Sequence, residues 1–138
     1  ALVQQMVRHE GLRTKPYRDS VGVLTIGVGR NLEANGLSID ECYILLSNDL
    51  DRCERDLHRE LPWWTGLDGI RQRVLLDMTF NLGISGLLKF RRTLEAMESG
   101  DYALAAQGMR ASLWAKQVGA RAQRLAEMMR TGREAVTP

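Results

Sequence analysis

The chain has 138 residues, 44% of them hydrophobic and 26% charged, with a formal net charge of +2. That length suggests one domain able to bury a core without staples. The small net charge, with no nucleic-acid reading motif, argues against a nucleic-acid binder. No apolar run approaches the ~20 residues of a bilayer span, so stable membrane insertion is not expected.

In chain order, the apolar residues at 2, 3, 6 and 7 predict a helix that closes at Glu10, with Gly11 as its stop. Residues 17–32 mix Val21, Val23, Leu24, Ile26 and Val28 with Gly22, Gly27 and Gly29, the signature of short strands joined by tight turns. Asn35-Gly36 is a further turn signal. Ser38-Ile39-Asp40-Glu41 is a capping box, opening a helix predicted over 38–59 and stopped by Pro62. Beyond Asp68 the pattern is helical, with segments near 68–82, 84–89, 93–99, 101–111 and 119–130. Gly83, Gly86, Gly100, Gly108 and Gly119 mark breaks or close packing, and Asp101 is a plausible N-cap.

The expected architecture is therefore α+β and mainly helical, a single domain over 1–138. A β lobe at about 12–36 would be joined by the helix at about 38–59 to a helical lobe at about 60–138, which the helix at 1–10 would complete. The glycine-rich lobe is expected to be the mobile one.

Cys42 and Cys53 would share one helix, roughly 16 Å apart along its axis, too far for a disulfide. Reduced thiols fit a cytoplasmic origin. The opening Ala1-Leu2-Val3-Gln4-Gln5 lacks the regions of a secretory signal. His9 and His58 form no cluster with cysteine, so neither a metal site nor a cofactor is expected. Trp63-Trp64 is read as a packed loop in preference to a sugar-stacking platform, and Trp114 as core. Residues 1–86 carry a net −2 and residues 87–138 a net +4. Arg121, Arg124, Arg130 and Arg133 could hold an anionic polymer or form a solvated, ion-paired face.

The chemistry-bearing stretch runs from Glu10 through Asp19 to Thr25, in the pattern Glu-x8-Asp-x5-Thr. Two carboxyls facing one another across a cleft suit glycoside cleavage, one protonating the leaving oxygen and one acting on the opposite side. At a helix C-terminus, unpaired carbonyls disfavour an anion, which marks Glu10 as the acid. Asp19, in a polar turn, would serve as base. The spacing alone is also compatible with a Glu10 merely exposed at a helix end.

The runs Glu10-Gly11-Leu12-Arg13, Tyr17-Arg18-Asp19 and Thr25-Ile26-Gly27-Val28-Gly29 resemble the T-even phage lysozymes, glycoside hydrolase family 24. Phe80-Asn81-Leu82-Gly83, Trp114, Arg121-Ala122, Arg124 and Arg130-Thr131-Gly132 extend the resemblance across nearly the whole chain. It implies a lysozyme-like fold and a muramidase cutting the β-1,4 bond between N-acetylmuramic acid and N-acetylglucosamine with inversion. In that case Glu10 is the general acid, Asp19 the base or electrostatic partner and Thr25 the water-positioning hydroxyl. Asn81, Leu24, Phe90 and Arg121 are candidate substrate contacts, Asn81 standing where the family usually has glutamine, and Arg121 is expected to reach Glu10. Arg30 stands where the family often has histidine, and an Arg30–Asp49 ion pair is expected in place of a histidine–aspartate pair. The resemblance further implies a monomer acting on bacterial peptidoglycan in phage-mediated lysis. It would be held in the host cytoplasm until a holin admits it to the wall. The rivals are a lytic transglycosylase, which needs no aspartate base, and a non-catalytic wall-binding module.

Overall fold

The computed structural model describes residues 1–135 and is built from eight helices, one 3₁₀ segment and one small sheet among those residues. It has the α+β lysozyme-like architecture expected from the sequence, mainly helical with its sheet near the N-terminus. The chain separates into two compact units, Ala1–Leu46 and Ser47–Pro138, and the division falls inside one continuous helix.

The N-terminal unit begins with α1 (Leu2–Glu10), which ends where Gly11 takes φ 78° and donates its N–H to the carbonyl of Val7 at 2.8 Å. Three antiparallel strands follow in the order β1 (Arg13–Arg18), β2 (Leu24–Gly27) and β3 (Arg30–Asn31). Thr25 pairs with Tyr17 on one side and with Asn31 on the other, so it is the central residue of the sheet. A one-turn helix, α2 (Leu32–Asn35), packs on β2 and β3, its first turn capped by the Asn31 side chain. Ser38 and Glu41 then form the expected box: the Ser38 hydroxyl accepts from the Glu41 N–H at 3.0 Å and the Glu41 carboxylate from the Ser38 N–H at 2.8 Å. They start α3 (Ile39–Glu60). Thr25, 4% exposed, is the one buried side chain of this unit among the described residues.

The C-terminal unit holds the apolar core. After the 3₁₀ segment at Pro62–Gly66 come α4 (Gly69–Leu88), α5 (Arg91–Ser99), α6 (Tyr102–Arg110), α7 (Leu113–Val118) and α8 (Ala120–Thr131). Gly83, at φ 73° and ψ 159°, interrupts α4 where the sequence placed a break. Asp101 caps α6 by accepting from the Leu104 N–H at 3.1 Å. The core joins Leu57, Trp64, Leu75, Met78, Leu87, Met97, Met109, Trp114, Leu125 and Met129, with α8 packed on α4, α6 and α7. Trp64 and Trp114 are both buried. Trp64 donates its indole N–H to His58 Nδ1 at 3.1 Å, which explains how a polar ring end is accommodated there.

The elements α2 and α7 and the strand start at Arg13 go beyond the sequence reading. α7 depends on Ser112, whose hydroxyl accepts from the Ala115 N–H at 3.1 Å. Among the described residues, no helix is long and apolar enough to cross a membrane.

Candidate active site

The N-terminal unit carries Glu10, Asp19, Leu24 and Thr25. Asp19 opens the turn between β1 and β2. Its Oδ1 accepts from the N–H of Val21 at 3.0 Å and of Val23 at 2.9 Å, while its carbonyl accepts from the Gly22 N–H at 3.0 Å. A short acidic side chain that bonds to the backbone just ahead of it is what folds this turn. Among the described residues Oδ2 takes no partner, so one carboxylate oxygen holds the turn and the other remains available.

The Val23 peptide joins Asp19 to Thr25. The Val23 carbonyl accepts from the Asp19 N–H at 3.0 Å and from the Thr25 hydroxyl at 2.8 Å. Once that hydroxyl hydrogen is committed, the buried Thr25 oxygen can only accept a further hydrogen bond. Leu24, between the two, is partly buried.

Glu10 ends α1 and is exposed, and its side chain lies against Gly29, in the turn that follows the Thr25 strand. A β-carbon placed on Gly29 would stand 2.8 Å from Glu10 Oε2 and 3.2 Å from its Cδ. Asp19 and Thr25 are thus joined through the Val23 carbonyl at the turn that enters β2, while Glu10 lies against Gly29 in the turn that leaves it, at the other end of that strand.

Further ionic contacts brace this unit. Arg18 donates to Glu33 Oε1 at 2.7 Å and to the Gly22 carbonyl at 3.2 Å. The Arg13 guanidinium lies 4.3 Å from the centre of the Tyr17 ring. Arg30 donates to Glu41 Oε1 at 2.5 Å and to the Gly36 carbonyl at 3.3 Å. Arg30 and the Ser38 N–H together pull the Glu41 carboxyl down to about 2. The expected Arg30–Asp49 pair is therefore corrected. Glu41, held by its capping box, is the carboxylate presented to Arg30, and Asp49 lies eight residues further along α3, about 12 Å on. Asp49 instead accepts from Arg52 at 2.7 Å, one helical turn away.

In the C-terminal unit, Asn81 Oδ1 accepts the Trp114 indole N–H at 2.7 Å, leaving its amide N–H groups to be used elsewhere. Phe90 meets Trp114 edge-on at 6.0 Å between ring centres. Arg121 donates from Nε at 2.9 Å and from Nη2 at 2.6 Å to Asp77 Oδ1. Within this unit α4 packs on α8 and presents the Asp77 carboxylate to Arg121. Of the other basic residues of α8, Arg130 is paired with Glu127, which also accepts from Arg110 at 3.0 Å. No group of three or more metal-ligating side chains is present among the described residues.

Sequence reasoning passed over Val23, because only its main chain is used, and over Gly29, where the repeated glycines of Gly27-Val28-Gly29 read simply as a turn. A second glycine two residues after the first was the available signal.

Residues 7–134 match the phage lysozyme family, and the chain belongs to it. It is 31% identical over 160 aligned positions to the pre-baseplate central spike protein of Enterobacteria phage T4, covering 96% of this chain and 28% of the spike protein. It is 26% identical to the probable T4-type lysozyme 1 of Dictyostelium discoideum, covering 94% of each chain. It is 31% identical to the SAR-endolysin of Escherichia phage Mu, covering 72% of this chain and 58% of that protein. The chain thus spans little more than a quarter of the spike protein and most of the length of the Dictyostelium relative.

Proposed function

We propose that the chain is a peptidoglycan hydrolase, a muramidase that cleaves the β-1,4 bond between N-acetylmuramic acid and N-acetylglucosamine with inversion. The observation that carries this reading is the Val23 carbonyl, which accepts from both the Asp19 N–H and the Thr25 hydroxyl. A water held between Asp19 Oδ2 and Thr25 Oγ1 faces two acceptors, so it donates both of its hydrogens and keeps a lone pair free for the anomeric carbon. Glu10 gives its proton to the glycosidic oxygen as the bond from the anomeric carbon breaks. The water oxygen bonds to that carbon from the opposite face, and Asp19 takes the proton released. The products are a reducing N-acetylmuramic acid end and a free hydroxyl on N-acetylglucosamine. Solvent then returns a proton to Glu10 and removes one from Asp19. Asn81, Leu24, Phe90 and Arg121 remain the proposed sugar contacts. Asn81 is favoured by its unused amide hydrogens, which suit an acetamido oxygen.

Digestion of purified cell wall, followed by reducing-end assay and mass analysis, tests the proposal. Hydrolysis yields new reducing ends and a product heavier by one water than the anhydro sugar. An anhydro product assigns the chain to lytic transglycosylases, and no product at all to wall-binding modules.

Delivery is part of the proposal. In one reading the chain acts as a monomer in phage-mediated host lysis, waiting in the host cytoplasm until a holin admits it to the wall; the likeness to an endolysin supports this. The likeness of nearly the whole chain to a section of a spike protein favours a second reading, wall perforation from a phage tail with the same chemistry. Immunodetection separates the two: soluble protein in the late infected cell supports the first, protein fixed to purified particles the second.

A further inference from the structure

We infer that Gly29 is a positioning residue for Glu10: the space that a side chain would occupy at position 29 is the seat of the Glu10 carboxyl. The geometry stands by itself, and its catalytic consequence rests on the reading of Glu10 as the acid.

A β-carbon at position 29 would lie 2.8 Å from Glu10 Oε2 and 3.2 Å from both Cδ and Cγ. Non-bonded carbon atoms prefer about 3.5–4.0 Å. Three consecutive atoms of one side chain crowd the same point, so rotating the carboxyl about its last bond relieves only part of the overlap. The α1 backbone offers little slack, because the Gly11 N–H closes the helix on the Val7 carbonyl at 2.8 Å immediately after Glu10. A substituent at 29 must therefore swing the carboxyl away from its present place.

Gly29 also has φ 68°, a conformation in which any L side chain is strained, so backbone geometry alone could account for a glycine. Gly27 separates the two causes. It has the same φ of 68°, it lies two residues earlier in the same hairpin, and a β-carbon built on it meets nothing within 4 Å. Alanine at either position meets the same unfavourable φ, but only at 29 does it displace the carboxyl. A general acid must stay within hydrogen-bond reach of the oxygen it protonates. A displacement on the order of an ångström costs about 10²-fold in rate.

The test is a set of stability cycles with kinetics beside them. Gly29→Ala and Gly27→Ala are each made in the parent chain and in a Glu10→Ala background, and thermal midpoints are measured for all. Removing the Glu10 side chain is expected to relieve a clear part of the loss caused by Gly29→Ala and none of that caused by Gly27→Ala. In cell-wall digestion, Gly29→Ala is expected to lower kcat by about 10²-fold with KM changed by no more than about twofold. If Gly29→Ala folds only when Glu10→Ala is also present, the inference is equally supported. An equal loss of midpoint with and without the Glu10 side chain overturns it, as does failure of both to fold while Gly27→Ala folds. The function reading fails separately: if Glu10→Gln clears walls at the parent rate while the stability coupling persists, Gly29 still seats Glu10 but Glu10 is not the acid.

Discussion

Thr25 gives its hydroxyl hydrogen to the carbonyl of Val23 at 2.8 Å, and that bond decides what Thr25 can offer to anything else. A threonine whose hydrogen is engaged in this way orients a water by accepting from it, and it cannot compete with Asp19 for the proton.

The first prediction tests that role. Thr25→Val keeps the shape of the side chain and removes the oxygen. It is expected to lower kcat by about 10²-fold or more, as loss of one oriented polar contact does. The folding cost should be small, because one neutral hydrogen bond is worth about 1 kcal/mol and valine leaves no side-chain polar atom unpaired. Steady-state wall digestion and thermal melting measure the two effects. Thr25→Ser, which retains the hydroxyl, should recover most of the rate.

A second prediction concerns pH. The Glu41 carboxyl is held at about 2, against an ordinary value of 4.5, first by the Arg30 hydrogen bond and then by the Ser38 N–H. A carboxyl depressed on folding stabilises the chain at pH values above its unfolded value and loses that contribution as the pH falls toward the folded one. The thermal midpoint of Glu41→Gln should therefore lie below that of the parent at pH 6, and the gap should close between about pH 4.5 and pH 2. A gap of constant size across that range would show that the carboxylate charge is irrelevant.

The third prediction addresses the closure of the helical unit. Arg71 on α4 donates to the carbonyls of Met129 at 2.7 Å and Arg130 at 3.0 Å, near the end of α8. Its guanidinium also lies 3.5 Å from the centre of the Tyr102 ring. Lysine cannot match that planar fork. Arg71→Lys is expected to cost about 1.5–3 kcal/mol in chemical denaturation, the range for hydrogen bonds to a charged group.

A fourth follows from helix packing. α5 and α6 approach each other at Gly108, where a β-carbon would collide with the Thr93 hydroxyl. Gly108→Ala is expected to destabilise the fold by about 1–3 kcal/mol through overpacking. Combining it with Thr93→Ala, which removes the opposing hydroxyl, should recover part of that loss in a denaturation cycle.

These cases show what could be read from the sequence. Gly11, the Ser38–Glu41 box, Gly83 and Asp101 were legible because each is a local signal: the residues that stop, cap or break an element lie within a turn of it. β1 from Arg13 was not, because Arg13-Thr14-Lys15-Pro16 shows no alternation and forms a strand only by pairing with β2. Residue type and spacing made Glu10, Asp19 and Thr25 candidates, and the resemblance of the runs around them assigned their roles. The choice of ion-pair partners was not legible, because Arg30 had six acidic residues on one predicted helix to choose from, and Asp77, the partner of Arg121, is remote in sequence. Val23 was invisible because any side chain carries the same peptide.

The most direct test of the account is the rate of cell-wall clearing by Glu10→Gln. The amide keeps the shape of the side chain and has no proton to transfer, so clearing should fall by about 10²–10⁴-fold or more, with the variant still folded by thermal melting. Clearing at the parent rate would contradict the assignment of Glu10 as the acid, and with it the proposed mechanism.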